Sequence, residues 1–404
     1  MNLLRRHPIA LGLILLVMLS ALTQVPPLVD VASGAPPPDA DLVRPVLYTL
    51  FAPIENVLDA LTFLSRDRAL TCVGVWTSAL AVYGLLRRGT PRRRLVTAVL
   101  GPAAFLLLCV SAVLLPRPVP ALVATDSTLT VIDYHAHTAR SHDGRRGWTL
   151  MDLADWHADQ GFGASYVTDH RVPFAGGVED PIRLLPGVEL SVYDQHVVVL
   201  GDVAPIDPGP FGRDTRAMLG LFGELHRQGA IGLASLPEYW VHHWDDLDAF
   251  VAAGVDGFEI VNCSPRGLAF PTPARTRVLR LAGARDLLVV GASDNHGWGK
   301  VTCVWNLSSP SAHGFGANRV LARPIAVAQG DWQAWTAAYT QPWLMFTSLS
   351  WSERSSWITW ILVILIYRAV PRRGGDPTGI GILARSLSLK ILKLKRLPGA
   401  PSAP

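Results

Sequence analysis

Charge is scarce in this chain. Of its 404 residues, 17% are Asp, Glu, Lys or Arg, against 50% that are hydrophobic, and the mean hydropathy is +0.28. These totals describe a membrane protein carrying a soluble domain rather than a soluble protein throughout. The net charge is only +4, the basic residues gather beside apolar runs, and no RNA- or DNA-binding module is present, so nucleic acid is not an expected partner. Cysteine is sparse as well: the 4 present are Cys72, Cys109, Cys263 and Cys303. None forms C-x-x-C, which argues against a zinc ribbon or a dithiol redox motif. Cys72 and Cys109 fall in apolar runs and read as small buried hydrophobes. There is no Ser nucleophile elbow and no P-loop, which leaves metal-activated water as the economical mechanism for any hydrolysis.

The apolar runs have an order. Arg5-Arg6-His7-Pro8 precedes a run over about 9–25, with the charged start and apolar core of a signal peptide. Small residues at Ala32-Ser33-Gly34-Ala35 would permit cleavage. Because more spans follow, the run is expected to stay as an anchor. After the Pro36-Pro37-Pro38 linker, an amphipathic segment over about 42–64 is expected at the interface or packed on the membrane helices. Further spans are expected at about 69–86 and 95–115, the second tolerating Gly101-Pro102 as a kink. Between them stand Arg87, Arg88, Arg92, Arg93 and Arg94, which favour the cytoplasmic side. A fourth run at about 355–370 is slightly short for a span. The tail beyond it carries Lys390, Lys393, Lys395 and Arg396 among leucines and isoleucines, a basic amphipathic pattern suited to an anionic inner leaflet. The expected organisation is a membrane region over 1–123, a soluble domain over 124–340, and a C-terminal span with a basic cytoplasmic tail over 341–404. With the arginine loop inside, this integral protein of the cytoplasmic membrane would hold its soluble domain outside the cytoplasm.

Histidine, by contrast, is concentrated. The chain has 12, and all but His7 lie between His135 and His313. In Val131-Ile132-Asp133-Tyr134-His135-Ala136-His137 a β-branched run delivers two imidazoles to one side of a strand end, as the first two ligands of a divalent metal require. From there short apolar strands at about 129–133, 164–168, 184–190, 195–200, 230–234, 257–261 and 287–291 are interspersed with helical spacing at about 149–160, 216–228 and 247–253,. Repeated βα units with polar residues at strand C-terminal ends are the pattern of an α/β barrel with its site at one mouth.

The order of motifs resembles the polymerase and histidinol phosphatase (PHP) superfamily. Asp133-Tyr134-His135-Ala136-His137-Thr138 looks like its first motif and Ser141-His142-Asp143-Gly144 like the element that follows. Thr168-Asp169-His170 resembles the second motif, and Pro186-Gly187-Val188-Glu189-Leu190-Ser191 the segment that supplies a bridging glutamate. His196 before an apolar strand, and Gly291-Ala292-Ser293-Asp294-Asn295-His296, complete the series, over roughly residues 126–310. The resemblance implies a distorted (β/α)7 barrel, here flanked by transmembrane helices. It also implies two or three divalent metal ions (zinc, manganese or iron) and hydrolysis of a phosphate ester, of a small molecule or a lipid-linked one. By motif the metal ligands would be His135, His137, Asp143, His170, Glu189, His196, Asp294 and His296. Glu189 would bridge two ions, and Glu189, His196 and Asp294 are the candidate catalytic residues.

Other residues carry weaker expectations. Asp169 is expected to support a ligand rather than be one. His142 is a loop histidine within reach of the site, and Arg266 and Lys300 follow site strands where a phosphate would need positive charge. One departure stands out: Ala234-Ser235-Leu236-Pro237-Glu238 has Leu236 where the family has a histidine, leaving His242 or His243 as the nearest replacements. The same barrel also suits a metallohydrolase for an amide, carbamate or carboxylic ester, or a degenerate metal-binding sensory domain. A domain outside the cytoplasm makes a Cys263–Cys303 disulfide plausible.

Overall fold

The computed structural model describes residues 7–369 apart from 178, 312 and 313. The expected arginines at the extreme N-terminus and the basic tail with Lys390, Lys393, Lys395 and Arg396 lie outside the described residues. Residues Leu13–Ile358 form one compact unit.

The apolar segments become helices. The first is α1 (Pro8–Leu19), followed by the short strands β1 (Val29–Asp30) and β2 (Ala40–Val43). The amphipathic segment folds as α2 (Val46–Leu50) and α3 (Ala52–Thr62), and two long helices follow, α4 (Arg66–Leu86) and α5 (Pro91–Leu114). Among the described residues α4 and α5 are the helices long and apolar enough to cross a membrane. Their hairpin turns at the arginine loop, where Thr90 caps α5 through the Arg93 amide and Pro91 takes the first helical position,. Gly84 lets the two backbones meet closely, since a Cβ there would lie 2.3 Å from the Ala98 amide nitrogen,.

The remaining chain is mixed α/β. It begins with β3 (Ala121–Ala124), β4 (Thr130–Ala136), α6 (Leu150–Asp159), β5 (Ala164–Val167), β6 (Arg183–Leu185), β7 (Gly187–Val192) and β8 (Gln195–Leu200). It continues through α7 (Thr215–Arg227), β9 (Ile231–Ser235), α8 (Leu236–His243), α9 (Leu247–Ala252), β10 (Gly257–Asn262), α10 (Thr272–Arg285) and β11 (Leu288–Ala292). The hairpin β12 (Val304–Ser311) and β13 (Gly314–Ala322) follows, then α11 (Pro324–Val327), α12 (Ala337–Thr347) and α13 (Trp351–Ala369). The expected span at about 355–370 falls on α13, whose first turn carries the buried pair Glu353 and Arg354.

The strands form two main sheets, in the orders β1-β13-β12-β4-β5-β6 and β11-β10-β9-β8-β7. They are joined by single bridges, Ala136 to Asn295 and His170 to Glu189, rather than by a continuous ladder. Strands β4, β5 and β6 run parallel, as do β9, β10 and β11. The regular βα alternation breaks at β7 and β8, which are an antiparallel hairpin. Tyr193 and Asp194 at its tip both have positive φ, the geometry of a two-residue hairpin turn. The helices cover the sheets as the spacing predicts. Met218, Leu221, Phe222 and Leu225 put one face of α7 into the core with Val197, Val199 and Phe258,. Helix α6 starts with a capping box between Thr149 and Asp152,.

One carboxylate ties these parts together. Asp59 on α3 is 2.6 Å from Arg117 Nη1, which follows α5, and 2.7 Å from Arg323 Nη1, which follows β13. It also accepts the Tyr48 hydroxyl at 2.7 Å. Burial alone would raise its pKa, but the two guanidiniums outweigh that and hold it below the usual carboxylate range. Asp59→Asn should therefore cost about 3–5 kcal/mol by leaving Arg323 buried without its counter-charge and Arg117 with Glu55 alone, at 3.2 Å, read as a lower melting temperature. A depressed folded pKa means the stabilisation is complete above about pH 4 and lost as pH falls through the folded value. Acid should thus destabilise the native chain more steeply than the Asn variant. An equal melting temperature for the two proteins would show that the knot is not structural.

Candidate metal centre

The two bridges between the sheets bring the ends of β4, β5, β7 and β11 to one place. His135 and His137 leave the end of β4 on the same side and are almost wholly buried. Each ring is fixed from behind. His135 Nδ1 lies 2.9 Å from Glu259 Oε2, and His137 Nδ1 lies 2.9 Å from Ser141 Oγ. With those nitrogens donating, the two Nε2 atoms face each other at 2.9 Å, too close for two lone pairs with nothing positive between them.

Glu189 on β7 is the centre of the cluster. Its Oε2 is 3.1 Å from His135 Nε2, 3.2 Å from His137 Nε2 and 3.1 Å from His170 Nδ1. Its other oxygen contacts His196 Nδ1. Asp294 Oδ1 is 3.2 Å from His137 Nε2 and 3.5 Å from His135 Nε2. It is presented by a backbone in the left-handed region, φ 47°, which Asp tolerates better than most residues. On the outer side Asp143 Oδ1 meets His296 Nε2 at 3.2 Å and its Oδ2 meets His170 Nε2 at 3.5 Å. All eight ligands implied by the motifs thus converge. Groups that could hold an ion include His135, His137 and Asp294, then His137, His170 and His296, and more externally His142, Asp143 and His170.

The donor set fits divalent metal. Both Glu189 oxygens, His170 Nδ1 and His296 Nε2 are buried with no hydrogen-bond partner, a costly arrangement unless a cation completes it. Imidazole with carboxylate suits zinc, manganese or iron. Without an ion the excess of carboxylates acts on the rings instead. Burial opposes charge on His135, yet Glu189, Asp294 and Glu259 lift its pKa well above the ordinary imidazole value. His296, also against the effect of burial, is raised to about 9 by Asp143 and Asp294.

The weaker expectations divide. Asp169 faces away from the cluster and binds the Thr138 amide at 2.6 Å, the Thr138 hydroxyl at 2.7 Å and Ser141 Oγ at 3.2 Å, so it braces the loop that braces His137. His142 is largely exposed, 3.9 Å from Asp143. Arg266 and Lys300 both line the cavity in front of the cluster. His243 does not replace the missing imidazole: it is buried, with Nδ1 at 3.0 Å from Asp246 and Nε2 at 2.7 Å from the Tyr193 carbonyl. His242 is exposed on the same helix and is not part of the cavity wall. Leu236 points into the core. Cys263 and Cys303 are joined as a disulfide, with Cys263 on the cavity wall.

Three contributors were not anticipated. Glu259 binds His135, Ser235 Oγ at 2.8 Å and Asn262 Nδ2 at 2.7 Å. The available signal was a lone carboxylate in the otherwise uncharged β10. Tyr239 donates its hydroxyl toward His196 Nε2 at 3.0 Å. Glu238, in the first turn of α8, lines the cavity and is hydrogen-bonded by Ser264 Oγ. Burial first, and then the Asp294 charge, push its pKa up to about 7.

No family model matches the chain, and no curated protein matches it. Among solved structures it is similar to a candidate metal-dependent phosphoesterase from Bifidobacterium adolescentis, with 19% identity, 48% of this chain and 93% of that one covered, and a TM-score of 0.33. It is also similar to PsfC from Pseudomonas syringae, at 18% identity over 53% of this chain and 98% of that one, with a TM-score of 0.37. A third is an amidohydrolase from Chromobacterium violaceum, at 16% identity over 46% and 90% of the two chains, with a TM-score of 0.28.

Protons on His135 and His296 compete with a cation. Metal affinity should therefore rise with pH until His296 titrates, near 9, and loading should release protons. Calorimetric titration of the metal-stripped protein with Zn²⁺ or Mn²⁺, in buffers of different ionisation enthalpy, measures both. Affinity that stays constant across this range would contradict the ligand assignment.

Proposed function

We propose that the protein is a membrane-anchored, metal-dependent phosphoesterase of PHP type, its strands a distorted seven-stranded barrel and its site outside the cytoplasm. The observation that carries the reading is the convergence of five imidazoles with the carboxylates of Glu189, Asp294 and Asp143, beside a cavity that also presents Arg66, Arg266 and Lys300. Three cations at the approach favour an anionic substrate over an amide. The topology rests on the arginine loop at one end of the α4–α5 hairpin and the site at the other.

In this reading His135, His137, Glu189 and Asp294 hold the inner ion or ions, with His196 on the far oxygen of Glu189. Asp143, His170 and His296 hold the outer one. A bound divalent ion supplies Lewis acidity toward a phosphoryl oxygen and acidifies water at neutral pH. The chain's own residues orient and supply protons. Glu259 and Ser141 fix the tautomers of His135 and His137, so that both Nε2 lone pairs face inward. Arg266 and Lys300 offset the charge of the phosphate. Glu238 lines the cavity beside the cluster, where its carboxyl is placed to exchange a proton with a departing oxygen.

The test is a paired assay of the full chain on phosphate esters and on carboxylic esters or amides, with His135→Ala as control. Hydrolysis of phosphate esters that falls by about a hundredfold or more in the variant is expected. Equal rates for variant and native protein would falsify the catalytic reading, and activity confined to carboxylic esters or amides would replace it with the second hydrolase class.

A further inference from the structure

The cavity in front of the cluster has two kinds of wall. It is about 960 Å³, at the upper end of what small-molecule sites need. One side is the polar set already described. The other is Leu61, Phe63, Leu64, Ala69, Ala112 and Val113, drawn from the end of α3, the first turn of α4 and the last turn of α5. These are the two helices able to cross a membrane, and the cavity meets them at the end opposite the arginine loop, roughly 30 Å away at 1.5 Å per residue. The joint is direct, since the Arg66 amide donates to the Pro265 carbonyl at 2.9 Å. Val113 is still 43% exposed, so this wall continues onto the outer face of the hairpin.

Segments that pack on the hairpin expose further apolar and aromatic side chains. Val46, Leu47, Leu50 and Ile54 on α2 and α3 are more than half exposed, and Trp335, Tyr339, Trp343 and Trp351 expose their rings. Aromatic residues and an amphipathic segment are what a membrane–water interface selects. Trp76, about 15 Å along α4 from Arg66, donates its indole N–H to the Ala338 carbonyl at 3.0 Å, so α12 packs along the first half of that helix.

We infer that the substrate is amphiphilic: a phosphate ester whose head lies on the metal cluster while its aliphatic part lies along α4 and α5, reached from the outer leaflet. The inference rests on the phosphoesterase reading for the head and on the cavity wall for the tail. A soluble phosphate ester would have no use for an apolar wall supplied by membrane helices, and a lipid needs a polar chamber of this kind to bring its head above the interface.

The experiment uses the full chain in nanodiscs, loaded with Mn²⁺ or Zn²⁺, and ethyl, butyl, hexyl and octyl phosphate as probes, with p-nitrophenyl alkanoates of matched length in parallel. Each methylene buried should raise kcat/KM by about fourfold, so that two methylenes give at least tenfold. Val113→Trp, at an exposed position the fold tolerates, should lower the octyl-to-ethyl ratio at least tenfold. Phosphates hydrolysed with no dependence on chain length overturn the inference and leave the phosphoesterase reading standing. Dependence on chain length among the carboxylic esters alone overturns that reading and leaves the amphiphilic site standing. Calorimetric binding of octyl phosphate against inorganic phosphate decides the point without turnover: equal affinities, or an octyl phosphate affinity unchanged in Val113→Trp, sink the proposal.

Discussion

The structure depends on one buried carboxylate. Asp59 faces two guanidiniums from segments far apart in sequence, Arg117 at 2.6 Å and Arg323 at 2.7 Å. Arg117 follows the helical hairpin and Arg323 follows the last strand of the larger sheet, so a single group ties the sheets to the helices beside them. None of the three charges tolerates burial alone; with Tyr48 and Glu55 they form one buried, charge-paired group. The composite cavity follows from this. Its apolar wall belongs to α3, α4 and α5, its polar wall to β7, β8, β11 and the loops beyond them, and the two face each other because this knot and the Arg66–Pro265 hydrogen bond hold them there.

Within the polar wall the governing constraint is charge balance. Glu189, Asp294 and Asp143 stand among rings that are already braced from outside by Glu259, Ser141 and, through Ser141, Asp169. That bracing decides which nitrogen of His135 and His137 is bare, and the bare nitrogens point at one another. Protons answer the imbalance when no cation does, which is why the rings of His135 and His296 hold theirs so strongly. A cation bound at these nitrogens would therefore take the place of those protons.

Much of this was legible in sequence because it is local. The pair His135 and His137 follows from strand alternation, α6 from the Thr149–Asp152 box, and α7 from apolar residues at helical spacing. Glu189, Asp294 and His296 are named by the motifs that resemble the PHP superfamily, and Asp294 and His296 also follow an apolar strand, β11. What was not legible depends on contacts between distant segments. Glu259 looks like part of a core strand until His135 is laid beside it. The hairpin of β7 and β8 reads as two elements of a regular alternation, since Tyr193 and Asp194 lack the glycine that usually marks such a turn. The knot at Asp59 joins residues 264 positions apart, which no spacing rule reaches. His243 seemed a spare imidazole, but only the fold reveals that both its nitrogens are engaged.

The replacement at Leu236 is best understood through its neighbours. Leu236 packs in the core, and Ser235 before it turns inward to Glu259 at 2.8 Å. The next polar side chain to reach the cavity is Glu238, beside Tyr239 and His196. A carboxyl in that position cannot do what an imidazole does, because it faces Asp294 and Glu189 of like charge in a buried setting. Without a bound ion, burial and those charges raise its pKa to about 7,. Glu238 thus brings a carboxyl to the cavity two residues after the position where the resemblance implies an imidazole. It does so at the margin where the cavity passes from the metal ligands toward Arg266 and the helices. A leaving oxygen attached to an aliphatic group would emerge on that side, and an aliphatic alkoxide, being strongly basic, is the kind of leaving group that most needs a proton.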